Sequence, residues 1–579
     1  VATRPPPRYI VDTVTGLLIG NRRPNNPAQP WRTGAISFAM VAVALVVTWF
    51  IYRRSVAYDM PPGEARGELA WRRDPATAPP LLTYNSSTLG WQGGIAVLHA
   101  SGDAHAIGAA HGRLLAPLLP AVVRAHAPTI EATVSDDGWF GGTTHDMRLA
   151  WKWRFLDDGV AEADRRMVAG LVRGAAASGV VVGFEDALRD QAVLDAGAPA
   201  PSSDEGDTRF VAHSLAAIVD QQASPGHVWL ARTFALPGLD DGGDAELPVV
   251  SIVHPDGRVA YAAVGWPGLL GVVTGVNANG IAVLVDPART AEVRPTRAAR
   301  PVAMLARAVL EQADSLDTAV KLIEGTPTLG AAVFVVVDGA TGKRAIVERT
   351  PVKAVVERSP RSPAVGDVLT TNALAQDPDN DRARRLLESQ VRVDRAARLA
   401  RGPLPDVAAV AALLRDQRGV DDTPRPLGHR GAIDDGRAVQ TAILDPTTLE
   451  LWVADPRAGG RLRGFDLRRE LRGDGSAAPP VELAAEPAGE PERAALALAR
   501  ADLRAARTAL ADGDRERAAE AVARARIRAP SLPEAIELDA VVAQARGDDA
   551  RAKALYQEWL DGGADDPEGE ERARALLAR

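Results

Sequence analysis

The chain is expected to fold as a layered α+β domain that follows one transmembrane helix and precedes an α-helical, repeat-like tail. Three observations lead there. Between about Gly90 and Leu471, apolar runs of strand length alternate with helical stretches, as expected of a domain that packs helices on sheets. The nineteen residues Gly34 to Tyr52 carry no formal charge. After Leu471 the composition turns to Gly, Ala, Pro and Glu and then to alanine-rich helix.

The strand-length runs are Gly94 to His99, Val211 to Val219, Val228 to Phe234, Val249 to His254, Val259 to Val264, Gly271 to Val276, Ile281 to Val285, Ala331 to Val337, Arg344 to Arg349, Ala438 to Asp445 and Glu450 to Ala454. Turn signals such as His254-Pro255-Asp256-Gly257 and Asp338-Gly339 join neighbours as antiparallel meanders. Helical patterns cover Ala104 to Ala127, Met147 to Ser178, Val302 to Glu311, Ser315 to Gly325, Asp379 to Ala400 and Asp406 to Gln417. The chain therefore divides into an arm (1–33), a transmembrane helix (34–52), a Pro-rich and charged spacer (53–89), the main domain (90–471), a linker (472–491) and a helical domain (492–579).

At 1.5 Å per residue the segment Gly34 to Tyr52 spans roughly 28 Å, the thickness of a bilayer's hydrocarbon layer. Trp31 before it and Trp49, Phe50 and Tyr52 at its end suit the two headgroup layers, with Arg32 and Arg53-Arg54 just outside. A cleaved signal peptide is the competing reading, but the run is long for one and an arginine pair follows it directly. Arginines flank the segment almost evenly and leave the orientation nearly tied.

In the tail, Gly513-Asp514 and Gly547-Asp548 stand 34 residues apart, each before a helix, and Ala518 and Ala552 share the same offset. Thirty-four is the tetratricopeptide period. The alternative is an ordinary alanine-rich helical hairpin.

Composition removes several functions. No cysteine is present, which excludes disulfides, thiolate metal sites and a cysteine nucleophile. The formal charge is -8 with arginines interspersed among acids, so no basic stripe offers nucleic acid a footprint. His99, His105 and His111 lack zinc spacing with an acidic third ligand, and no metal is expected. The glycine-rich run Gly265 to Gly280 has neither a phosphate-loop lysine nor a following helix, and no cofactor is expected.

Several segments, taken in order, resemble the acyl-coenzyme A:6-aminopenicillanic acid acyltransferase family of N-terminal nucleophile hydrolases. They are Gly108-Ala-Ala-His111-Gly112-Arg-Leu-Leu115, His213-Ser214-Leu-Ala-Ala, Leu230-Ala-Arg232-Thr233-Phe234, Trp266-Pro267-Gly268-Leu-Leu-Gly271, Thr274-Gly275-Val-Asn277-Ala-Asn279-Gly280-Ile281, Leu369-Thr370-Thr371-Asn372 and Thr441-Ala-Ile-Leu-Asp445. The resemblance spans about residues 93 to 455 and implies a four-layer αββα sandwich. It also implies a mechanism in which a cysteine, made N-terminal by self-cleavage, attacks an amide carbonyl with its own α-amine as base.

The position that matches this cysteine holds His213, and imidazole cannot perform the acyl shift that begins self-cleavage. Ser214 follows it with a hydroxyl, one place off the family register. Thr233 and Ala235 stand where the family has Asn and Asp. The first expectation is thus a fold that has lost its chemistry and serves as a scaffolding or accessory subunit of a membrane complex. Its partners would be other membrane subunits, met through the transmembrane helix, the arm and the C-terminal helices, together with the lipid bilayer. The alternative is an active amidohydrolase or acyltransferase with Ser214 as nucleophile, His213 as base, Arg232 as clamp and Asn372 as oxyanion donor. In either case the body is expected in a bacterial periplasm, held at the inner membrane.

Overall fold

The structure, a computed structural model, describes residues 30–72, 81–131, 133–134, 141–196, 213–220, 228–236, 239, 247–288, 290, 292, 298–359, 367–370, 374, 387–473, 481–484, 489–565 and 567–578. The arm up to residue 29, Asn372 and much of the linker lie outside these residues. Two units result, Val1–Ala57 and Tyr58–Arg579.

The first unit is described by the helix Pro30–Val56, longer at both ends than the apolar run. Proline suits its first position, where no intrahelical N–H bond is lost, and Arg53 and Arg54 in its last turn complement the helix dipole. Phe38–Val56 is long and apolar enough to cross a membrane. Phe38, Val41, Leu45 and Phe50 are all exposed along it.

In the second unit the strands, in chain order, are β1 (Leu69–Arg72), β2 (Leu81–Tyr84), β3 (Ser87–Gln92), β4 (Ile95–Gly102), β5 (His213–Asp220), β6 (Val228–Ala235), β7 (Val249–Pro255), β8 (Tyr261–Gly265) and β9 (Thr274–Asn277). They continue as β10 (Ile281–Ala288), β11 (Ala331–Asp338), β12 (Arg344–Arg349), β13 (Ala354–Ser359), β14 (Asp367–Thr370), β15 (Gln440–Asp445), β16 (Glu450–Asp455) and β17 (Arg461–Asp466). One sheet has the order β1-β2-β3-β4-β7-β8-β9-β10-β11-β12-β13 and the other β14-β5-β6-β15-β16-β17. Neighbours are antiparallel except β4 and β7.

Every residue of β6, β10 and β11 is buried, because both faces of these strands are covered. This is why they read as nearly continuous apolar runs rather than as alternation. One apolar cluster joins Ala216, Ile218, Leu230 and Leu444 of the smaller sheet to Val250, Ile252, Leu284 and Val335 of the larger. A second joins the larger sheet, through Leu98, Val283 and Phe334, to the helices Ala104–Leu114, Glu162–Ala177 and Val302–Gln312. A third joins Leu215, Ala217, Trp229 and Ile443 to the helices Leu387–Ala400 and Val407–Leu414.

The structure departs from the sequence reading in several places, and β13, β14 and β17 are strands that reading does not contain. Residues 69–89, read as spacer, supply β1, β2 and the start of β3 at one edge of the larger sheet. The helix expected over Ala104 to Ala127 breaks after Leu114, and its continuation Leu119–Glu131 is bent away by 67°. Pro117 is the cause, since it lacks an N–H and its ring clashes with the carbonyl four residues back. The stretch Met147 to Ser178 divides into Gly141–Trp153, Leu156–Gly159 and Glu162–Ala177.

The tail is the helices Gly489–Ala511, Arg515–Arg528, Pro533–Ala545, Asp549–Asp561 and Pro567–Leu577. Asp514 and Asp548 cap the second and fourth of them by accepting from the N–H groups of Arg517 and Arg551. The tail has its own core around Leu503, Val522 and Leu538.

Candidate functional site between the two sheets

Strand periodicity sets the site. In β5, Ala216 and Ile218 face the larger sheet, and in β6 Leu230 does the same. Side chains two residues along a strand share a face. Ser214, Arg232 and Phe234 therefore fall on that inner face, as do Thr274 before Val276, Asp286 after Leu284 and Gln440 before Ala442. The apolar filling between the sheets gives way there to a polar cluster.

Arg232 is its centre, with none of its surface exposed. One terminal nitrogen donates to the carbonyl of Val273 at 2.8 Å, to Thr274 Oγ1 at 3.1 Å and to the carbonyl of Val285 at 3.3 Å. The other donates to Ser214 Oγ at 2.8 Å and to the carboxylate of Asp286. Asp286 is as fully buried as Arg232. Burial pushes the Arg232 guanidinium below its ordinary pKa, and the adjacent Asp286 carboxylate opposes that shift. The guanidinium also lies over the Phe234 ring, 4.5 Å from its centre.

Ser214 is 2 % exposed. Its hydroxyl donates to the carbonyl of Thr233 at 3.1 Å while accepting from Arg232. Thr274 Oγ1 donates in turn to Gln440 Oε1 at 2.7 Å. A small cavity opens beside Ser214, lined also by Thr233, Ala235, Arg392, Ile433 and Asp435.

Of the four residues singled out from sequence, Ser214 and Arg232 meet directly. The backbone of His213 continues β5 opposite Ala235, and Asn372 lies outside the described residues. Asp286, Thr274 and Gln440 were not anticipated. A signal for Asp286 existed: it is the one acid in the buried run Ile281–Ala288, in phase with Leu284.

The turn Trp266 to Gly271 delivers Val273 and Thr274 to Arg232, and it is pinned by two buried side chains. The N–H of Gly268 donates to His111 Nε2 at 2.9 Å. Gln191 donates to the Gly268 carbonyl at 2.9 Å and accepts from the Leu270 N–H at 2.8 Å. Burial pushes the His111 pKa from 6.5 down to about 4. The unfolded chain thus takes up a proton near pH 6.5 that the folded chain refuses until about pH 4. The contribution is complete above pH 6.5, is lost as the pH falls through that window, and amounts to about 3 kcal/mol. Asp195, which burial raises to about 7, acts in the opposite sense as the pH rises. The two separate in a comparison of urea midpoints between pH 4 and 7: wild type should lose stability toward acid relative to His111→Gln. Parallel curves would remove His111 from the account.

The fold is α+β, with two packed sheets, covering helices and a buried polar cluster between the sheets. The family model described as acyl-coenzyme A:6-aminopenicillanic acid acyl-transferase matches residues 249–425, in agreement with the motif resemblance. That segment includes the Trp266 to Gly280 motifs and Asp286, but not β5 and β6, which carry Ser214 and Arg232. No curated protein matches the chain by sequence. Among solved structures, an N-acylethanolamine-hydrolysing acid amidase orthologue from Caenorhabditis elegans is similar at 14% identity and a TM-score of 0.29, over 40% of this chain and 93% of its own. A mutant conjugated bile acid hydrolase from Clostridium perfringens is similar at 12% identity and a TM-score of 0.27, over 46% of this chain and 96% of its own.

Proposed function

We propose that this chain is a membrane-anchored relative of amide-bond acyltransferases that has lost their self-cleaving nucleophile and serves as an accessory subunit of a membrane protein complex. The observation that carries the reading is the nucleophile strand itself: β5 opens with His213 and Ser214, and the chain holds no cysteine. The matched segment begins at residue 249, after the β5–β6 pair that carries these residues. In place of a reactive centre stands a buried ion pair whose arginine grips the Ser214 hydroxyl. The three apolar clusters support a four-layer αββα arrangement of this domain. Anchoring is supported by the exposed apolar helix. The two Asp-capped helices at a spacing of 34 support a tetratricopeptide-like tail suited to protein contacts.

One observation favours a second reading, an amidohydrolase with Ser214 as nucleophile. Ser214 faces the space between the sheets, touches Arg232 and lines a cavity. Intact mass of the protein extracted from membranes separates the two. The accessory reading expects an unbroken polypeptide across residues 213 and 214. Two fragments, one starting at Ser214, with amide hydrolysis abolished by Ser214→Ala, would establish the second instead. Recovery of the chain from the soluble fraction would overturn the anchor.

A further inference from the structure

We infer that the C-terminal helices form a latch that holds the cavity beside Ser214 closed, so that access to it requires the tail to move. The inference rests on contacts around one segment, Arg425 to Arg437, and holds for either reading of Ser214. On its inner side this segment supplies Ile433 and Asp435 to the cavity wall. On its outer side the same few residues are gripped by the tail. Arg500 donates to the carbonyls of Gly436 at 2.8 Å and Asp435 at 3.2 Å. Arg493 pairs with the Asp434 carboxylate. Glu534 receives Arg437 of the segment at 3.3 Å and Arg507 of the tail at 2.6 Å.

Two more contacts tie the beginning of the segment. The Arg430 N–H donates to Asp565 at 3.1 Å. His429 Nδ1 accepts from the Gly431 N–H at 3.0 Å, which leaves the proton on Nε2 to donate to the Gly563 carbonyl at 3.2 Å. Leu427 packs into the tail's core, and at Gly428 and Gly436, both at positive φ, an added Cβ would meet Leu532 and Leu496. Asp435 therefore presents its side chain to the cavity while its carbonyl is held by Arg500. This part of the wall is therefore tied to the tail. Arg493 and Arg507 reach solvent at the outer ends of these ties, and such part-exposed charged contacts exchange for water at lower cost than a continuous apolar core does.

The absence of native cysteine permits a direct test. In full-length, detergent-solubilised protein, Ser214→Cys places a single thiol at the cavity, and its rate of modification by a soluble maleimide reads access. Adding Arg493→Ala and Arg500→Ala is expected to raise that rate roughly tenfold or more, through local opening. Ala235→Cys, which lines the same cavity from β6, repeats the measurement with Ser214 intact. Ser251→Cys, at a different cavity under the larger sheet, should label at an unchanged rate. Equal rates at Ser214→Cys and Ala235→Cys with and without the latch arginines would overturn the inference. A parallel rise at Ser251→Cys would do so too, since it would mean general loosening.

Discussion

Asp286→Ala is expected to lower the unfolding free energy by about 3–5 kcal/mol, because it leaves the Arg232 charge buried without its counter-ion. The guanidinium has no exposed surface, and its remaining partners are the carbonyls of Val273 and Val285 and the hydroxyls of Ser214 and Thr274. Neutral dipoles offset part of a charge's desolvation, but they do not replace a carboxylate in contact. Removing both ions behaves differently. Arg232→Met combined with Asp286→Leu takes away the charge together with its partner, and much of the loss should be recovered. Urea denaturation of the solubilised full chain measures both variants. A single-variant cost below about 1 kcal/mol, the range of an exposed pair, would show that the cluster is not the keystone between the sheets.

Gly108→Ala is expected to cost more than about 3 kcal/mol, an unusual loss for one methyl group. The helices Ala104–Leu114 and Glu162–Ala177 cross with backbones in contact: a Cβ at Gly108 would lie 1.8 Å from the Met167 carbonyl oxygen, and one at Gly112 would lie 2.0 Å from that of Leu171. Gly170 and Gly174 face the first helix in the same way. The clash is with backbone, which cannot swing aside as a flexible side chain would. Gly325→Ala is the contrasting case, since it lies at a helix end with nothing within 4 Å of an added Cβ. That change should be neutral or stabilising by up to about 1 kcal/mol. Thermal melts of the two variants supply the comparison, and equal midpoints would defeat the close-crossing account.

The crossing gives the segment Gly108 to Leu115 a use that its resemblance to a family motif does not state. Its glycines are there for helix contact, and His111 within it pins the Gly268 turn. The Trp266 to Gly280 segment was legible as part of the same pattern and lies within the matched residues. Its purpose was not legible. It carries the Val273 carbonyl and Thr274 to an arginine some forty residues earlier in the chain. The placement of Ser214 shows the same division. Sequence left it one place off the family register, whereas pairing of β5 with β6 puts its hydroxyl on Arg232.

What the sequence by itself determined is what short-range periodicity encodes. The apolar helix, the alternation or continuity of most strands, the strand-helix interleaving and the 34-residue spacing of the tail caps are local, and each repeats within a few residues or one repeat length. Tertiary structure alone decided which distant groups meet. Asp286, Thr274 and Gln440 join Arg232 because strands from two sheets present the same face at the same height. Residues 69–72 became strand because an open sheet edge lay beside them, and the segment before β15 became a cavity wall because the tail's arginines hold it there. The physical reason is common to these cases. A side chain's facing direction follows from its own strand, but its partner is chosen by the packing of elements far apart in the chain, and buried charge makes that choice costly to alter.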